Sequence, residues 1–201
     1  MAELNTIATN NVWGDAFASY YNEGQEDLAA LFCSSYNDDR KFDGDDQPVV
    51  AITWYAAKAY CLWLSMLEGN QTSDRLPTEI EWKWAAGGRV ENEGQKARDY
   101  PWPNETGNPT PKLANYEGNV GQTTPVNRHP EGATPEGLYD MAGNVWEWME
   151  DWHDNDKDSR SLRGGSWGDI ADSLLCVARS GMPPAVRLDD FGFRVVCSSN
   201  R

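Results

Sequence analysis

Residues 89–139 constrain this chain more than any other stretch. Gly, Pro, Asn and Thr dominate there, and no helical or strand-like apolar period survives. A stretch that long with little regular structure is usually held together by something specific. No short-period repeat and no coiled-coil heptad runs through the chain either. The composition argues against disorder, with 39% hydrophobic residues and ten Trp in 201 residues. The expectation is one folded domain over 1–201, built from early helices, long loops and short strands.

The flanks of that stretch are more regular. Val49 to Ile52 reads as a buried strand, after which Thr53 can cap a helix. In that helix Trp54, Ala57, Cys61 and Leu64 recur at helical spacing. Thr78 and Glu81 make a capping box for a second helix, which Gly87-Gly88 would stop. Two further strands are expected, at Leu162 to Trp167 and at Phe193 to Cys197. Residues 1–46 carry aromatic and helical patches, from Trp13 to Phe17, Tyr20, Tyr21 and Leu28 to Phe32. They end in the acidic loop Asp43 to Asp46. This order of elements suggests an α+β domain.

Charge narrows the partners. Lys+Arg number 17 against 32 Asp+Glu, a formal charge of −15, so the surface repels phosphate backbones and nucleic acid is not an expected partner. No apolar run approaches the ~20 residues that cross a bilayer, and no signal-like apolar region follows Met1. The expected location is cytoplasmic, unless the protein is displayed by another route. The four cysteines show no zinc spacing. Cys33 and Cys176 are read as small buried hydrophobes.

Four blocks are distinctive: PVVAITWYAAKAYCLWL (48–64), RLPTEIEWKWAAGG (75–88), GLYDMAGNVWEWMEDW (137–152) and RGGSW…ARS…GFRVV (163–196). In this order they resemble the formylglycine-generating-enzyme family, a branch of the C-type lectin fold. The likeness covers roughly 48–197, and residues 1–46 form a divergent N-terminal part. The RGGSW block and the closing GFRVVCS are also similar to the variable proteins of diversity-generating retroelements. In those systems a reverse transcriptase alters adenines while copying a template into the end of the gene. That resemblance implies a receptor-like binder with a variable region at 163–197, not an enzyme.

The oxidase chemistry of the family needs two cysteines just after the GGS(W/Y) motif, where soft thiolates would hold copper. Here the residues after Trp167 are Gly168 to Leu175, and no thiol occurs until Cys176. The related iron sulfoxide synthases need three histidines, whereas this chain has two, His129 and His153, both read as surface residues. No nucleophile motif supports Ser-His-Asp hydrolysis. An enzyme of this superfamily with another activity stays open as the alternative.

The variable-protein resemblance implies specific positions. Arg163 to Trp167, Arg179, Pro184, Arg187, Gly192, Phe193 and Arg194 would be framework. Gly168, Asp169, Ile170, Asp172, Ser173, Ser180, Met182, Val186, Leu188, Asp189 and Asp190 would be displayed to a macromolecular ligand, most readily a protein. AAC-type codons randomised at both adenines never encode Lys, Gln, Glu, Met or Trp. From Gly168 to Asp190 only Met182 departs from that set. An ordinary loop with Ile170 and Leu188 buried is the competing reading.

The resemblance also implies a structural calcium, with Asp140 and Glu147 as carboxylate ligands and Gly143 and Val145 as carbonyl ligands. Oxygen-only ligation suits that ion. The competing reading has Glu147 paired with an arginine. A second site would lie near Asn115 and Tyr116, but Gly118 or Asn119 replaces its downstream acid. Some relatives bond a cysteine at the Cys61 position to one just after GFR. Cys197 is two residues further along and should face the same helix.

Overall fold

A computed structural model describes residues 32–36, 39–67, 72–90 and 96–199. Among them are two α-helices, α1 (Trp54–Leu67) and α2 (Glu79–Gly87). The strands are β1 (Thr72–Arg75), β2 (Trp146–Trp152), β3 (Arg160–Arg163), β4 (Ser180–Met182), β5 (Phe191–Gly192) and β6 (Val196–Ser199). The sheet order is β4-β3-β2-β5, with β2–β5 parallel and the other pairs antiparallel. A separate antiparallel ribbon joins β1 to β6. This is the α+β class expected.

β2 is the spine because its alternate residues face two different clusters. Trp146 and Trp148 pack with Trp54, Tyr55, Ala57 and Cys61 of α1, while Met149 packs with Trp82 and Ala86 of α2. Indole nitrogens lock the layers: Trp54 Nε1 donates to the Met149 carbonyl at 2.8 Å, and Trp148 Nε1 to that of Ile52 at 3.2 Å. Thr53 Oγ1 accepts the Ala56 N–H, and both bonds of the Thr78–Glu81 capping box form. α2 then stops at Gly88, whose φ of 79° suits glycine.

The loop-rich region is held by buried amides. Asn144 Oδ1 accepts the Thr124 N–H at 2.9 Å, Asn144 Nδ2 donates to the Thr124 carbonyl, and Asn115 Nδ2 reaches the Gln122 carbonyl. Gly143 is required where these segments meet: its φ is 74°, and a Cβ there would lie 2.3 Å from the Asn115 carbonyl oxygen. Trp102, Leu113, Ala114, Tyr116, Ala142 and Leu174 supply the apolar half of this support.

Several expectations change. Val49 to Ile52 is not a strand, because Ala51 has φ 53° and donates its N–H to the Leu188 carbonyl. The strand expected at Leu162 to Trp167 is Arg160–Arg163, because Gly164 and Gly165 turn it with positive φ. Of the strand expected at Phe193 to Cys197, only Val196 and Cys197 are in one, as part of β6, while β5 ends just before it at Gly192. Cys33 is exposed rather than buried, and His129 is buried rather than on the surface. No disulfide joins Cys61 and Cys197; Cys61 is buried, whereas Cys197 is exposed opposite Asp74 of β1. The patches read between Trp13 and Leu28 lie outside the described residues. No helix among the described residues is long and apolar enough to cross a membrane.

Candidate ligand-binding face

The RGGSW framework is assembled from below. Arg163 and Arg179 both reach Glu79 at the start of α2, each with a closest approach of 2.9 Å. Beyond them the chain turns at Gly164-Gly165 and lays Trp167 among Phe42, Val50 and Val145. The Trp167 N–H donates to the Asn144 carbonyl at 3.0 Å, so the loop-rich region positions the loop after β3.

Two loops then meet. Trp146 N–H donates to the Asp190 carbonyl at 2.8 Å, and Trp167 Nε1 to the Asp189 carbonyl at 3.4 Å. Glu117 N–H donates to the Asp169 carbonyl and Gly118 N–H to that of Trp167, both at 2.8 Å. The 117–118 turn therefore borders the face, although no sequence motif pointed to it. The remaining sequence signal lay in RGGSW itself, which carries both Ser166 and Trp167.

The expected display positions separate into kinds. Gly168, Ile170, Asp172 and Leu188 are exposed, with Ile170 62% and Leu188 43% accessible. These two are not the buried loop residues of the competing reading. Ser173 and Asp189 are half-buried beside them. Asp169 is instead an anchor: its Oδ2 accepts Trp146 Nε1–H at 2.8 Å, the Ser166 N–H at 3.0 Å and the Ser166 hydroxyl. Asp190 is half-buried, and burial pushes its carboxyl up to about 6, with Asp169 and Asp189 adding to the shift. Ser180 pairs with Leu162 in the sheet, and Met182 and Val186 pack against the α1 core cluster. Those three are parts of the fold rather than of an open face.

The calcium set does not fit an ion in this arrangement. Glu147 is buried, and its two oxygens accept from Arg194 Nη2 at 2.7 Å, from Arg194 Nε and from Trp82 Nε1. Asp140 Oδ2 accepts the Asn127 N–H, and the Gly143 carbonyl accepts the Val145 N–H. Arg194 thus pairs directly with Glu147, and the charge of Asp140 also bears on it. At the second place, Asn115 Oδ1 is buried without a hydrogen-bond partner, while its Nδ2 donates to the Gln122 carbonyl and to Asn144 Oδ1. Among the described residues no three His, Cys, Asp or Glu side chains are placed to hold a metal. Burial also raises the Cys61 and Cys176 thiols to about 12, which disfavours their thiolates.

The family model of the sulfatase-modifying factor enzyme 1-like domain matches residues 6–199. The match therefore starts well before residue 48 and takes in most of the part read as divergent. Among relatives, the inactive C-alpha-formylglycine-generating enzyme 2 of Bos taurus is 38% identical over 168 residues, covering 77% of this chain and 51% of that one. The formylglycine-generating enzyme of Bos taurus is 30% identical over 177 residues, covering 74% and 43%. The chain thus spans about half the length of these relatives. Among solved structures, Treponema denticola variable protein 1 is 28% identical with a TM-score of 0.62, over 83% of this chain and 77% of that one.

Proposed function

The chain belongs to the sulfatase-modifying factor enzyme 1-like family, and within it we propose a non-catalytic member that binds a macromolecular ligand, in the manner of a diversity-generating-retroelement variable protein. One observation carries this reading. The loop after RGGSW, where the family's oxidase chemistry needs a thiol pair, presents Gly168, Ile170 and Asp172 to solvent beside Leu188. Apolar and acidic side chains mixed on one exposed surface suit protein recognition. The framework beneath them is already hydrogen-bonded, so little ordering remains to oppose binding. A relative named inactive and a structural neighbour named a variable protein both support the proposal.

The test is a library randomised at Gly168, Ile170, Asp172, Leu188 and Asp189, displayed on phage and selected against immobilised purified proteins. Folded members should be common, and selected binders should lose binding when their residues revert. A folded library that yields no binder overturns the reading. In the genome, a neighbouring reverse transcriptase and an adenine-differing near-copy of the gene's 3′ end should accompany it.

The likeness to formylglycine-generating enzyme favours a second reading, that of an enzyme. Incubation with Cu(I) and a cysteine-containing sulfatase peptide decides between them. The expected result is no loss of the peptide thiol by mass spectrometry above a metal-free control.

A further inference from the structure

The loop after RGGSW leaves the sheet at Arg163, the last residue of β3, and rejoins it at Ser180, the first of β4. The ladder between these strands pairs Arg160 with Met182, Ser161 with Gly181 and Leu162 with Ser180. The next step in that register sets Arg163 against Arg179, so the two feet of the loop carry like charges. Like charges opposite one another on paired strands drive them apart. One carboxylate answers both. Glu79 Oε1 accepts from Arg163 Nε at 2.9 Å and from Arg179 Nε at 3.0 Å, and its Oε2 accepts from Arg179 Nη2 at 2.9 Å. Arg163 Nη1 also reaches across the base of the loop to the Val177 and Ala178 carbonyls, at 3.3 and 3.0 Å. Glu79 is itself fixed in place. It follows the Thr78 cap as the first residue of α2, and its N–H, which no carbonyl of the helix can take, donates to Asp151 Oδ2 of β2 at 2.6 Å.

We propose that Glu79 is the positioning residue of the binding face: one countercharge gathers Arg163 and Arg179 and keeps the 164–178 loop closed whatever side chains stand at 168, 170 and 172. The proposal rests on reading that surface as a binding face, and it names what lets the face vary without losing its shape. Within the loop, the Cys176 N–H donates to the Asp99 carbonyl, and the Trp167 and Asp169 carbonyls accept from the 117–118 turn. These are backbone bonds, open to any side chain. Gly168, Ile170 and Asp172 are exposed and have no part in them or in the Glu79 bonds.

Amide hydrogen exchange, followed by NMR on the full chain, tests this without a ligand. Cys176 and Ala178 report the base of the loop, through their N–H bonds to the Asp99 and Leu175 carbonyls. Ala57, bonded to the Thr53 carbonyl, and Thr124, bonded to Asn144 Oδ1, report the rest of the fold. In Glu79→Gln, exchange at Cys176 and Ala178 should rise about tenfold or more while Ala57 and Thr124 hold, because charged hydrogen bonds are lost at one place. A merely structural role would speed all four together, and that result overturns the proposal. Unchanged exchange at the loop base overturns it too, since another acid such as Asp151 would then be the countercharge. Replacing Gly168, Ile170 and Asp172 together by Ser should leave Cys176 and Ala178 as protected as in the wild type. Faster exchange there would mean that the displayed side chains close the loop, against the proposal. Should E79Q fail to fold, Arg179→Lys keeps the charge but loses the fork that spans both Glu79 oxygens. It should speed Cys176 and Ala178 alone, and no change would overturn the clamp. A failure of the binding reading would show in the library selection and would leave these exchange rates untouched.

Discussion

Asp169 and Ile170 are neighbours in the chain and do opposite jobs. Asp169 turns inward to Trp146 and Ser166, whereas Ile170 lies 62% exposed. The same division separates Gly168, Asp172 and Leu188, which face solvent, from Met182 and Val186, which pack on the α1 core. A tolerant surface therefore does not correspond to a tolerant segment. Every exposed position here is flanked by residues that the fold requires, and the proposed binding face works only if the two remain distinct.

The comparison can be broken by mutation. The largest effect belongs below the face, in Glu147→Gln, which leaves Arg194 without its buried countercharge. Losing one partner of a buried pair costs about 3–5 kcal/mol, and chemical denaturation should show it. A loss under ~1 kcal/mol would mean that water or another acid already serves Arg194.

Next comes Asp169→Ala, which strands the Trp146 indole and two Ser166 donors. About 1–3 kcal/mol is expected for buried donors left without a partner. Were this variant as stable as the wild type, Asp169 would rejoin the display positions.

Ile170→Ser and Leu188→Ser should each fall within ~0.5 kcal/mol of wild type. A larger loss in either would place that side chain in the core and return the loop to the ordinary-loop reading.

The smallest effect concerns metal. Adding EDTA, or millimolar calcium after it, should leave Tm unchanged, because Arg194 already holds the Glu147 carboxylate. A calcium-dependent rise in Tm would show that Glu147 can turn from the guanidinium to an ion.

Some of this was legible in the sequence because it is local. The Thr78–Glu81 capping box closes within four residues, and the Gly87-Gly88 stop needs only a permissive backbone. The spacing of Trp54, Ala57 and Cys61 defined the buried side of α1, since helix geometry alone puts such residues together. The ordered blocks from 48 to 196 pointed to the family that the match over 6–199 then showed. Tertiary structure decided which residues of the face are free. Asp169 is anchored by Trp146, 23 positions away in sequence, and Glu147 is paired with Arg194, 47 positions beyond it. Side-chain type and spacing state what a residue can donate or accept. Which partner arrives is settled only when the sheet and loops bring distant segments together.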